Sequence, residues 1–344
     1  MSSRTESPLL PGDTLAGKYR IDRVLGTGGM GVVVAATRLT EGARDTVAIK
    51  YLRPTHHDNE SLAARFRREC RVLSCLRSEH IVHLLDTGEL DSGLPYFVMD
   101  LLEGRDLRAL LHERRTLAVD EAATYVSQAC AALTQVHDLG IVHRDLKPAN
   151  LFLTRCPDGS ALLKVVDFGI AKLISSKSAE DQQQLTINGC IPGTLSYMAP
   201  EQLLNEAVDG RADLWSLGVI LYHLVTGLAP FAEAEPADLL VSICRKPPHP
   251  LRAPPSSLPD GFESVVRRCL EKRPQDRYPN AAQLALALRP FTSARPLAGP
   301  TSRPRGCFRS EPTRPLGRIG MRGATTPTIV WPRHFHSQES TLDR

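Results

Sequence analysis

The 344-residue chain is 42% hydrophobic and 23% charged, the balance of an ordinary globular protein, and its formal charge of +4 is unevenly placed. Nine arginines stand against Glu311, Glu339 and Asp343 after residue 290; the remainder is close to neutral, so nothing points to a nucleic-acid partner. Eight cysteines without a C-x-x-C pair argue for buried reduced thiols over a disulfide framework or zinc site, and the opening MSSRTESPLLPGD holds no apolar run of signal-peptide length.

Residues 1–17 read as a flexible lead-in. From Tyr19 the pattern is strand-like, in YRIDRVLG, VVVAATRL and DTVAIK, broken by glycine turns. The period changes over 60–77, where Leu62, Phe66, Leu73 and Leu76 share one helical stripe. Strands return in IVHLLDTGEL and LPYFVMDLL, and beyond Gly104 the chain turns mainly helical. There Ala122, Val126, Ala129, Leu133 and Val136 recur at three- and four-residue steps up to Gly140. The eighteen residues Leu214–Phe231 carry no formal charge. Gly218, His223, Gly227 and Pro230 speak against a membrane span, and a helix buried in a large domain is expected instead. After Pro290 the composition collapses into Pro, Arg, Gly, Ser and Thr, so 292–344 reads as a disordered tail that buries too little apolar surface to offset chain entropy.

The stretch Gly26-Thr27-Gly28-Gly29-Met30-Gly31-Val32-Val33 raises a choice, because G-x-G-x-x-G serves two unrelated phosphate-binding designs. A dinucleotide-binding turn must open a helix, whose N-terminal amides hold the pyrophosphate. Here three valines follow, Val32, Val33 and Val34, which favour a strand. Val47-Ala48-Ile49-Lys50 then appears where the other design carries a lysine-bearing strand. With RFRREC, HRDLKPAN, DFG and PGTLSYMAPEQ in order behind it, the chain resembles the eukaryotic-type (Hanks-type) serine/threonine protein kinases, closest in flavour to those of bacteria.

The resemblance covers roughly 15–290 and implies an α+β bilobal fold. It implies a kinase domain over 18–291, with a β-rich N-lobe (18–101) bearing one long helix and a mainly α-helical C-lobe (102–291). The cofactors implied are ATP and Mg²⁺, with Mn²⁺ as a substitute. Phosphoryl transfer asks the protein for positioning and neutralisation of charge more than covalent work. Gly26, Gly28 and Gly31 would let backbone amides approach the phosphates. The same hairpin brings Leu25, Thr27, Gly29 and Met30 to the nucleotide. Lys50 would contact the phosphates and pair with Glu69, which on its own would read as a solvated helix charge. Asp145 is the expected base for the substrate hydroxyl, Lys147 the γ-phosphate contact, and Asn150 and Asp167 the metal ligands. His143 is expected to pack, forming with Phe168, Leu73 and Leu84 a column between the lobes. Val33, Ala48 and Phe152 would sandwich adenine, Met99 would be the gatekeeper, and the backbone from Asp100 to Leu102 would bond the base. Ala149 gives no support to a preference for basic substrates.

Three residues are implied as structural anchors: Asp213 bracing the catalytic loop, and Glu201 pairing with Arg277. Thr194 would contact Asp145 and Lys147. Arg144 and Lys172 would form a pocket for a phosphate on Thr186, with Ser175, Ser176 and Ser178 as weaker candidates and an unmodified linker as the plain alternative. Protein Ser/Thr substrates, autophosphorylation through a homodimer, and a cytoplasmic, membrane-free setting complete the expectation. A catalytically inactive ATP-binding scaffold would lack Lys50, Asp145, Asn150 or Asp167, all of which are present. A small-molecule phosphotransferase would lack Lys147-Pro148, Thr194 and the APE anchor. The arginines of the tail suit either an acidic partner or a solvated linker.

Overall fold

The computed structural model describes residues 9–28, 31–39, 45–52, 60–90, 92–167, 195–251 and 258–293. Within the first helix the side chains of 60–62, 65, 68, 69 and 72 lie outside that description. The fold is bilobal. A six-stranded antiparallel sheet runs in the order β1 (Thr14–Leu15), β2 (Tyr19–Thr27), β3 (Gly31–Arg38), β4 (Thr46–Leu52), β6 (Pro95–Asp100), β5 (Leu84–Glu89). Helix α1 (Glu60–Cys75) packs on one face of it through buried Phe66, Cys70 and Leu73. The other face buries Tyr19, Ile21, Val34, Val47, Ile49 and Val98 in a separate cluster, as two-residue alternation along each strand requires.

The lead-in expected over 1–17 ends sooner than the sequence suggests. Leu15 is buried, Thr14 and Leu15 pair with Arg20 and Tyr19, and the Gly12 and Ile21 N–H groups donate to Ile21 and Asp13 carbonyls. A two-residue strand is too short to show a period, which is why the pattern missed it.

The second lobe starts with a three-stranded sheet, β7 (Arg105–Asp106), β8 (Leu151–Arg155) and β9 (Ala161–Val165). Gly104 makes the crossing, with φ of +150° and no room for a Cβ beside the Leu153 carbonyl. Asp106 caps α2 (Leu107–Arg114) by accepting the Ala109 N–H at 2.7 Å. Helix α3 (Val119–Asp138) buries the whole predicted stripe from Ala122 to Val136. The helices that follow are α4 (Pro200–Leu203), α5 (Arg211–Thr226), α6 (Pro236–Arg245), α7 (Phe262–Cys269) and α8 (Ala281–Leu288). Helix α5 is apolar on every side because it is the lobe's centre: fourteen of its residues are buried, Trp215 and Ile220 among them. Among the described residues no helix is long and apolar enough to cross a membrane.

The lobes are tied by backbone as well as by packing. Ile81 bridges to Val165, the Val165 N–H donates to the His80 carbonyl, and Lys164 Nζ donates to the Glu79 and Ile81 carbonyls. This seam fixes where β4 sits above the segment that follows β9, and the site lies there.

Candidate active site

Strand register builds the upper half of the site. Gly26 pairs with Val33, Val33 with Lys50, Ala48 with Met99, and Lys50 with Phe97, so four strands deliver the nucleotide-facing candidates side by side. Leu25, Ala48, Met99, Leu102 and Phe152 are buried in one cluster against which Val33 packs. The hairpin's glycines also meet demands of the fold itself. The Gly28 N–H donates to the Gly31 carbonyl at 2.9 Å and closes the turn, while a Cβ at Gly31 would run into the Tyr51 carbonyl of β4. Gly31 is therefore demanded by the sheet itself. Thr27 pairs with Val32 at the end of β2, whereas Gly29 and Met30 lie outside the described residues. In the hinge, the Asp100 N–H is spent on the His83 carbonyl at 3.1 Å, which leaves the Asp100 carbonyl and the backbone of Leu101 and Leu102 for the expected bonds to a base.

Lys50 reaches across the seam, its Nζ 2.9 Å from Asp167 Oδ1 and 5.6 Å from the centre of the Phe97 ring. Phe97 lies 5.1 Å from Phe66 of α1, so the ring links the helix to the lysine. Glu69 is in α1, but its side chain is outside the described residues, and the proposed partnership with Lys50 rests on the resemblance. Burial would push the Asp167 carboxyl up; the Lys50 ammonium, by charge and by hydrogen bond, and Lys147 beyond it hold it below the ordinary carboxylate value.

The lower half is the loop from His143 to Asn150. Asp145 Oδ2 accepts from Lys147 Nζ at 3.0 Å, and Asn150 Nδ2 donates to the Asp145 carbonyl at 2.8 Å and to Oδ2 at 3.4 Å. The loop is pinned from below by Asp213 of α5, wholly buried, which accepts the His143 N–H at 2.9 Å, the Arg144 N–H at 2.8 Å and His137 Nε2 at 2.8 Å. His143 is fully buried, and burial pulls its pKa down, which fits a packing residue. Leu73 is likewise buried and Leu84 packs against the same core, whereas Phe168 is outside the described residues. Arg144 and Asp167 are non-glycine residues held at φ of +63° and +54°. Such left-handed positions cost on the order of 1–3 kcal/mol each and persist where surroundings over-determine them. Burial lowers the Arg144 pKa, Asp213 offsets part of this, and its Nε meets no hydrogen-bond partner among the described residues.

The distal anchor is a two-pronged ion pair. Arg277 Nη1 and Nη2 donate to Glu201 Oε1 and Oε2 at 2.7 and 2.8 Å, both side chains essentially buried. Arg277 also donates to the Glu271, Arg211 and Lys272 carbonyls and lies over Trp215. Lys172, Thr186, Thr194 and the serines at 175, 176 and 178 lie outside the described residues. Three contributors escaped the sequence reading: His137, Phe97 and Gln202, whose Nε2 donates to the Arg144 carbonyl.

The donor set suits a magnesium-bound triphosphate. Asn150 commits its amide nitrogen to Asp145, leaving a carbonyl oxygen, and Asp167 adds a carboxylate; Mg²⁺ favours a few such hard oxygens with phosphates completing its shell. Residues 19–287 match the protein kinase domain family. The chain belongs to the protein kinase family. Serine/threonine-protein kinase Pkn1 of Myxococcus xanthus is 41% identical over 285 residues, 81% of this chain and 40% of that one. Serine/threonine-protein kinase PknB of Mycobacterium tuberculosis is 35% identical over 273 residues, 78% and 42% of the two chains. The chain thus spans about half or less of the length of the curated relatives it matches. The crystal structure of the Mycobacterium tuberculosis PknI kinase domain superposes with a TM-score of 0.59 at 29% identity, covering 83% of this chain and 100% of that one. The relatives it matches are bacterial serine/threonine-protein kinases.

Proposed function

We propose that the chain is an ATP-dependent protein serine/threonine kinase. The observation that carries the reading is the convergence of Lys50, Asp145, Lys147, Asn150 and Asp167 on one interlobe seam, with Lys50 bonded across it to Asp167 and Asp145 bonded to Lys147 and Asn150 within the loop. Lys50 orients the nucleotide's phosphates, and its pairing with Asp167 keeps that carboxylate ionised. Asp145 takes the proton of a Ser or Thr hydroxyl as the oxygen attacks the γ-phosphorus and ADP leaves. Lys147, beside that carboxylate, offsets charge on the transferring group. Bound Mg²⁺, for which Mn²⁺ substitutes, would be held by Asn150 and Asp167 and would neutralise phosphate charge. The reading places the domain in the cytoplasm, where ATP is available.

Thr186 is the proposed autophosphorylation site, with Arg144 and Lys172 receiving the phosphate; that the Nε of Arg144 meets no partner among the described residues supports this. Transfer between two copies would make the lag before full activity shorten with protein concentration, and Thr186→Ala should abolish the lag and the gain. The main test is radiolabelled ATP with casein as acceptor on the full chain. Asp145→Asn should lose roughly 10²–10⁴-fold in rate while nucleotide binding persists. An Asp145→Asn protein of undiminished rate would overturn the reading.

A further inference from the structure

Gln202 stands beside the Glu201 anchor but faces the other way. Its Oε1 accepts the Ala199 N–H at 3.1 Å, and its Nε2 donates to the Arg144 carbonyl at 3.0 Å. The amide's orientation follows from its neighbours, because a backbone N–H only donates and a carbonyl only accepts. Arg144 is the strained residue immediately before Asp145. Its backbone is therefore held on both sides of the Cα, the N–H by Asp213 of α5 and the C=O by Gln202 of α4. Helix α4 is itself fixed by the Glu201–Arg277 pair.

From this we infer that Gln202 is a positioning residue for phosphoryl transfer, holding the Arg144 carbonyl so that Asp145 is presented in its reactive geometry. The reaction does not pass through its amide. A left-handed peptide gripped from one side only relaxes toward commoner backbone angles, and the carboxylate one residue later turns with it. The inference rests on the kinase reading above.

Two substitutions separate this role from helix capping. Gln202→Glu keeps an oxygen for the Ala199 N–H but loses the donor to Arg144; Gln202→Leu loses both. In the casein assay with the full chain, both should reduce kcat by about tenfold or more, since small misplacements of a catalytic group are costly. The KM for ATP should stay within about twofold, because Lys50 and the hairpin are untouched. The melting temperature of Gln202→Glu should move by no more than about 2 °C. Full kcat in Gln202→Glu with loss only in Gln202→Leu would assign the residue to capping and overturn the inference, as would a kcat loss matched by a collapse in melting temperature. An inactive wild-type chain would instead overturn the kinase reading itself.

Discussion

The two halves of the site are built by different means. The hairpin, Lys50 and the apolar side chains proposed to face the nucleotide from β3, β4 and β6 are set by strand register, each residue placed by a neighbour on the next strand. The loop carrying Asp145 has no regular structure from Ile141 to Lys147 and is held by side chains from α4 and α5, fifty-eight to seventy positions away. Register is cheap to specify and tolerant of exposed substitutions, whereas a loop gripped by buried polar groups fails when one group is removed.

Removing an anchor should therefore cost most. Arg277→Met strands Glu201 in the interior and should destabilise the domain by about 3–5 kcal/mol in urea unfolding, with much of that recovered when Glu201→Leu is added. A single-variant loss below about 1 kcal/mol would break the contrast. The upper half offers a smaller effect of another kind. Gly31→Ala should cost about 1–3 kcal/mol by pressing a methyl group on the Tyr51 carbonyl. Unchanged stability with an altered KM for ATP would mean that the glycine serves phosphate approach alone. The smallest effect joins the halves. Asp167 has a folded pKa below its unfolded value of about 3.9, so its contribution is present above that pH and lost as pH falls through the lower, folded value. The stability gap between wild type and Lys50→Met should narrow on acidification from about pH 5; a gap independent of pH would show that the lysine contributes by packing on Phe97 and not by charge.

Legibility in sequence followed the same division. Strands β2 to β6, the stripe of α3 and the all-apolar α5 could be read from period, because burial of one face or of every face leaves a repeating mark. Lys50, Asp145, Asn150 and Asp167 were readable through motif spacing. Gln202 and His137 leave no such mark: each is one polar residue in a helix, and its partner is defined only once α3, α4 and α5 pack around the loop. A second demand on Gly31 was not visible in the sequence, since a side chain there would clash with β4, twenty residues on. The spent N–H of Asp100 was likewise invisible, because His83 precedes β5 and meets the hinge only after the sheet has formed.

The Glu201–Arg277 pair also bears on how the domain comes into being. Arg277 lies within ten residues of the end of the matched family segment, and its partner is seventy-six positions earlier. Contacts of such separation close large loops and form late. During synthesis, helix α4 waits for its counter-ion until almost the whole domain has left the ribosome, and the peptide before Asp145 waits with it. A chain cut short before that arginine would carry the motifs of a kinase without the order in which they work.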